Sequence, residues 1–271
     1  EAGGRGRRDA RRRLLLDGSM KRDVLTRVLA VLAALAVWQI AAMSVGSRIL
    51  LATPWQALGR LLALLPTAGL WRTVGCSFVR IAGGFLLALA LGTALALAAY
   101  RRRMVETLLR PYVVVIKSVP VASFIILALI WMGSARLPLF ISFLMVFPVI
   151  YGNTLQGLKS TDPQLLEMAR LFRVPWARRL RYIHLPALEP FLLAGCSTAL
   201  GMSWKAGVAA EVIGVVGGSI GERLYEAKIY LETADLLAWT VVIVAVSALF
   251  ERLFLALLRR GFAALRGGAS G

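Results

Sequence analysis

An all-α protein that crosses a membrane several times is what this sequence predicts, on three observations. Of 271 residues, 59% are hydrophobic and only 17% are charged, whereas soluble domains average about 45–50% apolar and about 25% charged residues. Six stretches are apolar over a length sufficient to span a bilayer. The formal net charge of +18 falls unevenly on the segments that join them. These figures exclude a disordered chain, and Cys76 and Cys196 are too few for a disulfide scaffold. A nucleic-acid binder explains the charge but not the apolar excess, so the lipid bilayer is the expected partner and nucleic acid is not.

Residues 1–19 carry six Arg and three acidic residues and read as a non-native or disordered leader, with Met20 as the natural start. Beyond it, 26 basic and 11 acidic residues remain, so the positive charge is intrinsic to residues 20–271, read as one transmembrane domain. The apolar stretches run roughly 24–45, 79–100, 111–133, 137–156, 187–215 and 236–258. Each approaches or exceeds the ~20 residues that a helix needs to cross. Ala, Leu, Val and Ile dominate them without period-2 alternation, which favours helices over a barrel.

Six spans place both termini on one side. The segments on that side hold Lys21, Arg22 and Arg27, then Arg101, Arg102, Arg103 and Arg110, then six basic residues from Lys159 to Arg181, then Arg259, Arg260 and Arg266. Opposite them are seven, at Arg48, Arg60, Arg72, Arg80, Arg136, Arg223 and Lys228. Cytoplasmic segments are enriched in Lys and Arg, so both termini are expected inside.

After the first span, Thr53-Pro54-Trp55-Gln56 offers an N-cap, a Pro at the first helical position and a Gln at the third. Trp55, Leu58, Leu62 and Leu65 then share a face, as in a helix lying on the membrane. A second outer helix is expected from about Ser219 to Leu231, with Ile220, Leu224, Ala227 and Leu231 as its apolar stripe. Both read as scaffolding or as part of an outer docking face. Within the third span, Pro120 is positioned to kink the helix.

The segment between spans four and five, residues 157–186, is the most informative. Asp162 can cap a helix begun by Pro163, and Leu165, Leu166, Ala169 and Phe172 recur at helical spacing. Pro175 stops that helix near Arg173 and can open a second. An amphipathic helix in an aqueous loop has no lipid to cover, so its apolar face packs on its own bundle or on a partner.

In this loop Glu167, Met168 and Ala169 are followed by three residues, then Arg173, then nine residues, then Ile183, Leu185 and Pro186. That pattern resembles the "EAA" signature of ABC-importer permeases, with Met168 for the second Ala and Arg173 for the Gly. The resemblance extends to Pro54, Trp71-Arg72, Lys117-Ser118-Val119-Pro120, Ser203-Trp204-Lys205 and Ala209-Ala210-Glu211, and is similar to the nitrate/sulfonate/taurine branch. It implies a type I ABC-importer permease fold of six helices in the bacterial cytoplasmic (inner) membrane. It implies as partners a second copy of the chain, two cytoplasmic ATPase subunits and an extracytoplasmic solute-binding protein. The loop would be the coupling helix. Leu165, Glu167, Ala169, Arg170 and Leu171 would then contact the ATPase, with Arg173 at the helix end. Ile183, Leu185 and Pro186 would set the angle of span five. A Gly at the place of Arg173 often supplies a left-handed turn, where another residue costs about 1–2 kcal/mol.

No catalytic residue is expected. The phosphate-loop pattern is absent and the run Gly214 to Gly221 lacks its Lys, so no cofactor is assigned to this chain; ATP and Mg belong to the partner ATPases. His184 is the only histidine, and neither a metal site nor a histidine triad has the neighbours it needs.

Ionisable groups inside a membrane are functional candidates by default. Lys117, Lys205 and Glu211 qualify. Lys205 and Glu211 either neutralise each other or face a pathway; their six-residue offset turns them about 120° apart, which disfavours a direct pair. Lys117 either faces the pathway or reaches the cytoplasmic interface. On the resemblance, spans three and five of two copies would line an anion path, with Lys117, Lys205, Ser118, Pro120, Ser123, Ser203, Trp204 and Glu211 contributing. Two other readings stand beside the importer: a secondary transporter or channel without an ATPase, and a membrane scaffold.

Overall fold

The computed structural model of the chain describes Thr26 and residues 29–44 and 51–267. The leader 1–19, the start of the first expected span and Arg48 lie outside these residues. The described residues form helices and turns, without strands. In chain order the helices are α1 (Leu29–Ser44), α2 (Pro54–Leu64), α3 (Ala68–Arg101), α4 (Arg103–Ser118), α5 (Val121–Met132) and α6 (Leu137–Lys159). The remainder are α7 (Pro163–Leu171), α8 (Trp176–Arg179), α9 (Leu185–Ile213), α10 (Ile220–Ile229) and α11 (Thr233–Gly267).

Four helical segments among the described residues are long and apolar enough to cross a membrane: α3, α6, Trp176–Ile213 and α11. A fifth crossing is available only as a broken pair. The expected continuous third span is instead α4 and α5, set at 105° to each other. Pro120 has no N–H, and its ring excludes helical geometry at Val119, which stands extended at φ −83°, ψ 133°. Two consecutive extended residues, Val119 and Pro120, turn the expected kink into a joint.

The centre of the molecule is α3, α6 and α9. They approach closely because small residues stand at the crossings, the usual route to tight helix contact in membranes. A Cβ on Gly84 would lie 2.3 Å from the Leu139 carbonyl oxygen, and one on Gly207 2.6 Å from Ile81 Cγ1. Around Phe85, Val146, Ile150, Cys196 and Leu200 this contact forms the largest apolar core. A second core joins α3 and α9 to α10 and α11 around Ile81, Trp204 and Trp239. Ser142 on α6 donates to the Ser203 carbonyl of α9 at 3.2 Å, which ties the two helices at the crossing.

α2 has the expected capping box, with Thr53 and Gln56 bonded reciprocally. Trp55 is 76% exposed, and Leu58, Leu62 and Leu65 are exposed beside it. Arg60 of α2 makes a two-point contact with Asp235 of α11, its Nη2 donating at 2.9 Å. That hydrogen bond raises the Arg60 guanidinium above its ordinary pKa.

α10 differs from expectation. Ile220 and Ala227 are buried against the bundle rather than laid on a membrane surface, and Leu231 falls beyond the helix end at φ 58°. The helix is short because its end needs a left-handed residue: Glu232 N–H reaches back to the Ala227 carbonyl at 2.8 Å, as in a Schellman cap.

Candidate functional site: a basic loop and a polar membrane path

One end of the bundle gathers the basic segments. Lys159 at the end of α6 donates to Glu106 of α4 at 2.5 Å. Arg101 at the end of α3 stacks over Trp176 at 4.2 Å, and Arg181 reaches the Leu265 carbonyl of α11 at 3.5 Å. The predicted loop hangs from this end.

α7 begins as the sequence predicts. Asp162 accepts from the Gln164 N–H at 2.8 Å and Pro163 fills the first helical position. It ends on Arg173, at φ 50°. Val174 N–H donates to the Ala169 carbonyl at 2.9 Å and Arg173 N–H to the Arg170 carbonyl at 3.0 Å. These two bonds are a Schellman cap, so Arg173 adopts the left-handed turn expected at the motif's Gly place. Pro175 then caps α8, as its carbonyl accepts from both Arg178 and Arg179.

The faces of α7 are not those the spacing predicts. Ala169 is fully buried and Leu166 half-buried, so this pair seats the helix on its own chain. Leu165 and Phe172, expected beside them, point outward with Met168 and Leu171; Leu171 is 82% and Phe172 77% exposed. Glu167 and Arg170 are exposed as well. Ala169 is therefore removed from the residues available to a partner, and Met168 and Phe172 are added. Around an ideal helix the outward set fills one arc bounded by Arg170 and Leu165, whereas Leu166 and Ala169 occupy the remaining arc.

Behind the loop lies a cluster that sequence spacing does not reveal. His184 is 1% exposed. Its ring meets Tyr100 edge-on at 5.2 Å and Trp176 at 5.4 Å, while Nδ1 lies 3.0 Å from Thr161 Oγ1. The Thr161 hydroxyl donates to the Leu158 carbonyl at 2.9 Å, so its oxygen accepts from His184 Nδ1–H. Thr161 and His184 thus join the two ends of the loop. From Leu180 to His184 the chain makes a wide π-type turn, with Leu185 N–H reaching the Leu180 carbonyl. Such turns displace side chains from the i, i+4 register. Ile183, Leu185 and Pro186 are half-buried at this turn, where α9 begins.

The predicted path residues separate into two groups. Lys117, Ser118, Pro120, Ser123 and Lys205 are exposed on the open surface of the chain. Ser203, Trp204 and Glu211 are buried within it. Glu211 accepts from Ser77 Oγ at 2.8 Å and from Gly221 N–H at 3.2 Å, and Ser77 Oγ accepts from Ile220 N–H at 2.9 Å. The carboxyl group therefore fastens the positive N-terminal end of α10 to α3 and α9, and its partner is not Lys205. Ser77 was missed because it stands 134 residues away; its one legible trace is a polar residue in an apolar helix.

Residues 88–262 match the family of binding-protein-dependent transport system inner membrane components. The chain belongs to that family. Among its relatives is the putative aliphatic sulfonates transport permease protein SsuC of Bacillus subtilis, 30% identical over 229 residues, covering 83% of this chain and 82% of SsuC. The taurine transport system permease protein TauC of Escherichia coli is 28% identical over 82% of this chain and 83% of its own. The bicarbonate transport system permease protein CmpB of Synechococcus elongatus is 28% identical over 70% and 68% respectively. As a member of this family the chain is a transport-system permease component rather than an enzyme, and its apolar helices suit an inner-membrane, multi-pass location. The family match begins within α3 and ends in α11, so it includes the loop, the broken pair and both groups of path residues.

Proposed function

We propose that this chain is the membrane-spanning subunit of an ATP-driven importer, crossing the membrane six times with both termini in the cytoplasm. Two copies form the path, two ATPase subunits holding ATP and Mg dock on the loops, and an external binding protein delivers the solute. The observation that carries this reading is α7. Leu165, Met168, Leu171 and Phe172 are exposed around Glu167 at the basic end of the molecule. Four large apolar side chains, three on a nine-residue helix outside the apolar spans and one at its C-cap, make a compact patch, and such patches mark protein interaction sites. ATP-driven closure of the ATPases would pull on α7 and, through the Thr161–His184 tie, on α6 and α9.

The solute is a small molecule bearing an oxyanion group, of the kind named for the relatives: a sulfonate, taurine with its sulfonate group, or bicarbonate. Lys117, Ser118, Pro120 and Lys205 are the path-facing residues. Among the described residues neither ammonium group has an ion-pair or hydrogen-bond partner, as a site awaiting an anion requires. Ser203, Trp204 and Glu211 hold α9 in place behind them. Alternating access follows if α4 and α5 move against the α3–α6–α9 centre.

Copurification tests this directly. The chain is expressed with an ABC ATPase subunit from its own source, and retention is measured for the parent, Glu167→Ala and Leu171→Asp. The parent should retain the ATPase and Leu171→Asp should lose it. Solute uptake by the chain alone, with no ATPase bound, would instead establish a channel or secondary transporter.

A further inference from the structure

Arg103, Arg110 and Lys117 are spaced by seven residues along α4. Seven residues fall only ~20° short of two full turns, so these cations share one face, separated by steps of ~10 Å. The face meets α6 in an antiparallel register. At the loop end a cavity of about 440 Å³ is lined by Arg103 and Arg110 of α4, Lys159 of α6, and the hydroxyl-bearing Tyr100 and Thr107. Seven residues back along α6 from Lys159 is Gly152, and a Cβ there would lie 4.0 Å from Lys117 Nζ. The α4/α6 groove therefore carries positive charge at two levels, with Gly152 beside the inner one.

Within the cavity Glu106 is the only carboxylate, and it is committed to Lys159 at 2.5 Å. Among the described residues neither guanidinium group has an ion-pair or hydrogen-bond partner, in a recess that also holds two hydroxyl groups. Guanidinium pairs with oxyanions in a planar, two-point geometry. Thr107 commits its proton to the Arg103 carbonyl at 3.0 Å, so of the two hydroxyl groups Tyr100 is the one left to donate to an oxyanion.

We infer that this cavity is a binding site for a small oxyanion, the cytoplasmic station of a path whose next step outward is Lys117. The inference rests on the reading of the chain as an anion importer and adds a site to it. An anion leaving Lys117 meets two guanidinium groups at the next level, and a cluster of like charges at the mouth holds it against return until water and counter-ions screen it. The phosphate of an anionic lipid shares this chemistry, so the test separates the two sources.

Thr107→Cys is introduced into the full chain with Cys76→Ala and Cys196→Ala, in nanodiscs of phosphatidylcholine alone. Its reaction rates with an anionic (sulfonatoethyl) and a cationic (trimethylammonioethyl) methanethiosulfonate are compared, each normalised to free cysteine. The anionic reagent should be favoured about tenfold, as a focused positive field requires. Arg103→Gln with Arg110→Gln should remove that preference, and millimolar ethanesulfonate should slow the reaction in the parent background. Equal normalised rates overturn the inference. Protection by phosphatidylglycerol in the disc with none by ethanesulfonate also overturns it, in favour of a lipid headgroup. Because no ATPase is present, failure here leaves the copurification result standing, and the reverse holds too.

Discussion

Thr161 Oγ1 and His184 Nδ1 stand 3.0 Å apart across 23 residues, and both side chains are buried. This contact closes the loop at its base. Removing the hydroxyl with Thr161→Val leaves a buried ring N–H unpaired, at a cost of about 1–3 kcal/mol. His184→Leu removes both the donor and the ring contacts. The pair should be non-additive by about 0.5–3 kcal/mol in a double-mutant cycle, read from thermal unfolding in detergent. Simple additivity would show that the tie is incidental. The Thr161→Val chain should also be cut faster by trypsin at Arg178 and Arg179.

Arg173 holds a left-handed conformation that glycine adopts without steric cost. Arg173→Gly should raise the unfolding midpoint, equivalent to about 1 kcal/mol, and Arg173→Val should lower it because a β-branched side chain fits that region worst. If Gly proves no better than Arg, the Schellman geometry of α7 is not what Arg173 contributes.

Two glycines of α3 should respond in opposite directions. Gly84→Ala forces a methyl to within 2.3 Å of the Leu139 carbonyl oxygen and 2.9 Å of Ser142 Cβ. Overpacking of that kind costs about 1–3 kcal/mol. Gly75 has nothing within 4 Å of its Cβ position, so Gly75→Ala should be neutral or stabilising by up to about 1 kcal/mol. Parallel thermal unfolding of the two variants checks the contrast, and equal loss in both would remove close packing as the reason for Gly84.

Local chemistry was readable in the sequence. Thr53 and Gln56, and Asp162 and Pro163, are each decided within a few residues, where capping geometry operates, whereas the left-handed turn at Arg173 was suggested only by the Gly place of the motif it resembles, since Pro175 offered another way to end the helix. What depends on distant partners was not. Glu211 reads as an intramembrane charge whichever way it faces, and only folding brings Ser77 and Gly221 to it. The outward face of α7 was misread because Leu165, Leu166, Ala169 and Phe172 fit helical spacing, although the chain's own bundle needs only the small Ala169 and Leu166 for its contact. Pro120 announced a bend, but its size depends on Val119 also leaving the helix.

The joint at Val119–Pro120 also determines how force can travel. A continuous helix from Arg103 to Met132 would behave as a strut, and any push at one end would appear at the other as translation. At 105° the two arms form an elbow, and each is packed separately against α6. Pressure applied near Arg103 becomes torque about Pro120; with 16 residues in α4 and 12 in α5, the loop end is the longer arm, so a displacement there swings α5 through a shorter arc with greater force. Mechanical advantage, rather than stiffness, is what the break gives this chain.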